Sequence, residues 1–357
     1  MLLRTPTRGL LLIACVAVAF PLAACSGGMD MGDHDSSEPS SETIAPITYD
    51  ALFVVNGGDN TVSVIDTETN TLAATIRLVN ARYPHHLYLS EDRARMLLAV
   101  PGMDMSAGHS GGTHGMMGAV MLLDARTGAT IQARMMDAMN HNAIFSPDGT
   151  EVWTSQMAAP GSVAVLDADT LADKQTIAVG NEPAEVTFAA DGSRAFVANG
   201  GSDSVTVIDA RTKAVVETIA VGADPVGAWQ GSNGVAYVDN EEGESLTAID
   251  TATLAVLQTA ELGFMPGMAA LGPDDRVWVS DAENGKVVFY TPTIDARMGE
   301  IVTGAGAHAI AFNDQGTTAY VSNQSADTVS VIDIASATVI ADIPVGAKPN
   351  GVAWRAK

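Results

Sequence analysis

From residue 48 onward, apolar and polar positions alternate in runs of five or six residues rich in Val, Ile, Thr, Phe and Tyr. Such period-two, β-branched runs predict strands, and the Asp-Gly, Asn-Gly-Gly and Asp-x-x-Thr stretches between them predict turns. Four runs, here called a to d, make one unit, most plainly in residues 181–222 and again in 305–346. The strand-a anchors are Leu89, Phe145, Phe188, Gln230, Leu271, Phe312 and Trp354, spaced 56, 43, 42, 41, 41 and 42 residues apart. Aspartates in strand c (Asp66, Asp124, Asp167, Asp209, Asp250 and Asp333) keep the same period, and Tyr290 takes that place in the sixth unit. A period of about 42 residues with four strands per unit predicts a β-propeller.

The first run, Leu52 to Asn56, is a strand b, whereas the last, Lys348 to Arg355, is a lone strand a. One blade is therefore shared between the two ends of the repeat region, a closure that leaves no free sheet edge in the ring. The expected fold is all-β: a seven-bladed β-propeller of four-stranded blades over residues 48–357, its first blade closed by the C-terminal strand.

Phe196-Val197-Ala198-Asn199 and Tyr320-Val321-Ser322-Asn323, each followed by a Val/Ile-rich run ending in Asp, resemble the signature of the YVTN-family propeller repeats. Phe53 to Asn56 fits the same pattern and Tyr237-Val238-Asp239-Asn240 fits it loosely, while Val100, Ser155 and Ser280 stand where Asn is usual. The resemblance covers about residues 50–357 and implies the fold. Its relatives include surface-layer and periplasmic binding proteins and the propellers of nitrous oxide reductase and haem-d-type nitrite reductase. The last two imply metal or haem above the propeller axis, but a shared fold does not fix a function.

The N-terminus reads as an export signal: Arg4 and Arg8, a short apolar stretch from Gly9 to Phe20, then Leu22-Ala23-Ala24-Cys25. The last four residues resemble a bacterial lipobox, which implies cleavage after residue 24 and lipid on Cys25. Ser rather than Asp at position 26 points to the outer membrane. The expected mature protein is thus lipid-anchored in the bacterial cell envelope, facing the periplasm or exterior. Residues 25–47, rich in Ser, Gly, Asp and Glu, are expected to be a disordered tether.

Composition changes the picture in two ways. With 18 basic and 42 acidic residues the net charge is −24, which argues against nucleic acid as a partner and favours cations. The two cysteines are Cys15, inside the signal, and Cys25, so the folded body has no thiolate metal site and no disulfide. There is no CxxCH, which excludes covalent haem c, and no GxSxG, Walker loop or HExxH.

Candidate chemistry concentrates on one face. The long first spacing places an insert of about 14 residues in the b–c loop of blade 2, within Pro101 to Gly118, bearing Met103, Met105, His109, His114, Met116 and Met117. Residues 102–141 hold eight of the 16 methionines. Met121 is expected in the core, since Met is a common core filler, but the insert's own methionines have no apolar period to bury them. Independently, the residue four before each anchor is His85, His141, Ala184, Val226, Gly267, His308 and Asn350, so three of the seven histidines share one structural position. The d–a turns and b–c loops open on the same face, which also gathers His86, Met139, Met157, Met265 and Met268.

Thioethers and imidazoles without Cys suit copper. The expected metal ligands are His85, His86, His141, His308, His109, His114, Met103, Met105, Met116, Met117 and Met139. Met29 to His34 form an auxiliary candidate in the tether. Blade 1 stands between blades 7 and 2, so His308 is expected to lie apart from His85 and His141. The acid pairs Glu182/Glu185 and Glu241/Glu242 read as solvated turns, and no distinctive residue supports a lactonase-like hydrolase. Three functions remain open at this point: copper handling by a non-enzymatic binder, a redox or electron-transfer protein using copper or non-covalent haem, and a metal-free scaffold for an envelope protein or cell-wall material.

Overall fold

The computed structural model describes residues 38–106 and 117–357, which form seven antiparallel sheets around one axis. Six are four-stranded blades in the order a-b-c-d. Blade 1 is built as expected: its inner strand is Pro349–Arg355, paired with Ala51–Asn56 in the register Leu52↔Trp354 and Val54↔Val352. Every strand b and most of each strand c are buried on both faces, because each sheet is covered by its neighbours, whereas the outer strands d are largely exposed. Inner strands of adjacent blades contact one another all the way round, from Leu87–Leu89 of blade 2 to Pro349–Arg355 of blade 1 and back.

The repeated residues have repeated jobs. Each strand-c aspartate accepts backbone N–H bonds in the c–d turn, for example from Thr127 to Asp124 (2.8 Å), Thr212 to Asp209 (2.7 Å) and Ser336 to Asp333 (2.8 Å). An Asx-type bond of this kind closes the turn without help from the rest of the fold. In blade 6, where Tyr290 replaces the aspartate, Thr291 donates to Asp295 instead. The motif asparagines Asn56, Asn199, Asn240 and Asn323 are fully buried and donate to the facing Ser or Thr hydroxyls of strand c. By strand register, the blade 3 and blade 6 counterparts of this asparagine are Gln156 and Asp281, one residue beyond the Ser155 and Ser280 expected from sequence.

Seven apolar clusters fill the seven spaces between adjacent blades. They run from the blade 1–2 cluster with Phe53 and Met96 to the blade 7–1 cluster, where Tyr320 and Val331 pack with Leu52 and Trp354. Met121 lies fully buried in the first of these.

One boundary differs from the sequence reading. Residues 38–47 are not part of a free tether: Ser40–Ser41 extends blade 1 by pairing with Thr71–Val79, and Ile47 is only 1% exposed. That outer strand is nine residues long and presents a further edge. Two isoleucines, Ile44 and Ile47, then pack into the blade 1–2 cluster. Two apolar residues in a polar stretch are too few to show a period. The signal, Cys25 and the Met29 to His34 stretch lie outside the described residues.

Candidate functional site

The histidine position is set by the geometry of the d–a turn, which delivers each chain to the inner end of its blade. His85 and His86 precede the inner strand of blade 2 and are held by backbone bonds to Ala99 (3.0 and 3.1 Å). Gly351 of blade 1 crosses directly over them; a Cβ there would come within 2.8 Å of the His86 Cα, so only glycine permits the approach. His141 enters from blade 3, its backbone N–H bonded to the Ser155 hydroxyl at 3.3 Å. His308 enters from blade 7, beside Gly267.

These four side chains converge. His85, His86 and His141 are at most 4% exposed, and each offers a ring nitrogen, all within 4.8 Å of one another. Their ring centroids are 4.5 to 4.8 Å apart. His308 was expected to stand off because a blade intervenes, but its ring is 6.0 Å from His85 and 6.1 Å from His86. A whole blade of angular separation is a short distance near the axis.

Behind the imidazoles stands a buried carboxylate that the sequence reading misplaced. Glu185, read as part of a solvated turn, is 1% exposed and accepts from His141 Nδ1 at 2.9 Å, from Asn142 Nδ2 at 2.7 Å and from the Tyr88 hydroxyl. Burial, and then the adjacent Glu185 charge, push the Tyr88 hydroxyl well above its ordinary pKa. A His141 that donates through Nδ1 keeps the lone pair on Nε2, the arrangement that metal-binding histidines use. The signal for Glu185 was one column over: the residues three before the anchors of blades 2, 3 and 4 are His86, Asn142 and Glu185, all polar, the first two just before their inner strands and Glu185 within its own.

Blade 5 adds a second buried acid. Asp239 accepts from Trp229 Nε1 and, at 3.1 Å, from the Gly227 N–H, and the Trp229 ring lies 6.0 Å from His86. Desolvation first, and then the charge of Glu241, raise the Asp239 pKa from 3.8 to about 7. Glu241, also expected in a solvated turn, is 5% exposed.

The methionines divide. Met105 and Met139 are buried, and Met103 packs against them, in a cluster that includes Met157. Met103 and Met105 also line a small cavity with His85 and Asn350. Met117 is 53% exposed and outside the cluster, and Met265 is 39% exposed. His109, His114 and Met116 lie outside the described residues.

Residues 138–355 match the model of the family described as outer membrane protein assembly factor BamB. Among solved structures, the chain is similar to the periplasmic gluconolactonase PpgL of Pseudomonas aeruginosa, with 18% identity and a TM-score of 0.68 over 86% of this chain and 99% of that one. It is also similar to the hydrazine synthase of Kuenenia stuttgartiensis (18%, TM-score 0.63, 77% and 95%). A third is the dihydro-heme d1 dehydrogenase NirN in complex with DHE (17%, TM-score 0.59, 85% and 68%). At these identities the likeness is one of fold. No curated protein sequence matches the chain. With its blade repeat, its closure by the C-terminal strand and a family match spanning more than half its length, the chain belongs to the β-propeller family described as outer membrane protein assembly factor BamB.

Proposed function

We propose that this protein is an exported, lipid-anchored propeller that binds copper at the inner ends of blades 2 and 3 and serves in metal handling or delivery. The observation that carries the reading is the trio His85, His86 and His141, buried and with ligand atoms within 4.8 Å of one another. Glu185 supports it by orienting His141 and by supplying a negative charge that a bound cation would offset. The methionines next to His85 favour copper over zinc or calcium, which more often recruit thiolates or oxygen ligands. The cavity beside His85 is lined by Met103, Met105 and Asn350 and has a volume of about 10 Å³, room for a water-sized species.

The test is isothermal titration of the purified protein with Cu(II). The wild type should take up about one equivalent at this site, and His85→Ala with His141→Ala should remove most of it, whereas His308→Ala should cost less. Binding should weaken as the solution is acidified, because imidazole binds metal in its neutral form. A wild type that retains no more copper than the double variant overturns the reading and leaves the envelope scaffold in its place. The anchor has its own test: Cys25→Ser should abolish fatty-acid labelling and release the protein from the membrane fraction. Label that persists on the variant would refute lipidation at Cys25.

A further inference from the structure

Seven apolar clusters fill the seven spaces between blades, yet the described residues contain an eighth. It lies over the inner ends of blades 4 and 5, against Ala184 and Val226, and its large side chains are Met103, Met105, Met139 and Met157. We propose that this cluster is a separate, thioether-only site for a soft monovalent cation, Cu(I), adjoining the histidine site. The proposal rests on the copper reading above and deepens it by giving each half of the mouth its own oxidation state.

Three observations carry it. First, the composition is not that of filler. In the other seven clusters together the buried methionines are Met96, Met121 and Met136, set among many more Val, Ile, Leu and Phe residues, whereas here four methionines have only Ala184 and Val226 beside them. Leu would fill such a space as well as Met does; what Met adds is a polarizable sulfur, the donor that selects Cu(I). Second, the sulfurs are brought in from separate segments that are tied down. Met157 N–H donates to the Met139 carbonyl at 2.8 Å, joining the blade 3 b–c loop to its d–a turn. The start of the blade 2 insert is held by Lys348, which pairs with Asp104 and donates to the Ser106 hydroxyl at 3.1 Å. Third, the ring position that carries His in blades 2, 3 and 7 carries Ala184 and Val226 in blades 4 and 5. One half of the mouth is thus imidazole, and the other is small and apolar beneath the thioethers.

The two halves communicate. Met103 and Met105 belong to the cluster and also line the cavity with His85. Asn350 lines the same cavity; it is 4% exposed, and its Oδ1 accepts no hydrogen bond among the described residues. A soft ion leaving the sulfurs would meet this oxygen and the first imidazole.

Silver(I) is the probe, being soft, monovalent and redox-inert. The variant combines Met105→Leu, Met139→Leu and Met157→Leu, swaps that conserve volume and usually preserve a core. Protein labelled with ¹³C at its methionine methyl groups is titrated with Ag(I) and, separately, with Cu(II). In the wild type, the methyl signals missing from the triple variant should shift within the first equivalents of Ag(I). The triple variant should bind Ag(I) at least about tenfold more weakly than the wild type. If those signals stay still, or if the triple variant holds Ag(I) as tightly as wild type, the thioether site is refuted. If His85→Ala with His141→Ala abolishes Ag(I) binding equally, there is one mixed site and not two. Absence of Cu(II) uptake by the wild type strikes the histidine reading alone, since the Ag(I) arm is read independently. Should the triple variant fail to fold, Met139→Leu and Met157→Leu singly must each still weaken Ag(I) binding.

Discussion

Replacing Glu185 with Gln changes one atom in the site and should cost most of the metal affinity. The Glu185 carboxylate accepts three hydrogen bonds: from Asn142 and the Tyr88 hydroxyl at Oε1, and from His141 Nδ1 at Oε2. A glutamine can keep its amide oxygen toward Asn142 and Tyr88, but it then presents an NH₂ to His141. The imidazole must accept at Nδ1 and move its own proton to Nε2, the atom that would otherwise face the ion. Losing an outer-shell partner of this kind typically weakens metal binding about 10- to 100-fold, or about 1.4–2.7 kcal/mol. Metal-free stability should hardly fall, because the substitution also removes a buried charge. Titration calorimetry with Cu(II) on wild type and Glu185→Gln, with thermal melts of both metal-free proteins, separates the two effects. Copper affinity within about twofold of wild type in a normally folded Glu185→Gln protein would refute the reasoning.

Three further outcomes follow from the structure. Because the folded-state pKa of Asp239 is raised from 3.8 to about 7, the native protein holds this proton where the unfolded chain has lost it; its contribution is therefore full below about pH 4 and falls by up to about 4 kcal/mol as pH rises to about 7. Denaturant unfolding of wild type and Asp239→Asn across pH 4–8 should show the wild type losing stability relative to the variant, and parallel profiles would contradict this. Deleting residues 347–357 removes the inner strand of blade 1 and should lower the melting temperature markedly, whereas Trp354→Ala, which empties part of the blade 7–1 cluster, should cost about 3–5 kcal/mol. Unchanged cooperative unfolding of the truncated protein would rule out the closure.

The sequence by itself determined the blade, the count and the closure. Each depends on local rules: alternation that makes a strand, an aspartate such as Asp209 that closes its own turn, and an asparagine such as Asn323 that ties strand b to strand c. Repetition makes these local signals unmistakable, and it also put His85, His141 and His308 in one column. What a repeat encodes is angle around the axis; it says nothing of radius. The distance between two blades shrinks toward the centre, so only the closed ring shows that His308 approaches His85 despite the blade between them. The same convergence turned Glu185 from an expected surface acid into a buried partner of His141, and it brought Met105 of blade 2 over Ala184 and Val226 of blades 4 and 5. Burial at the axis is a property of seven blades acting together, and no single repeat carries it.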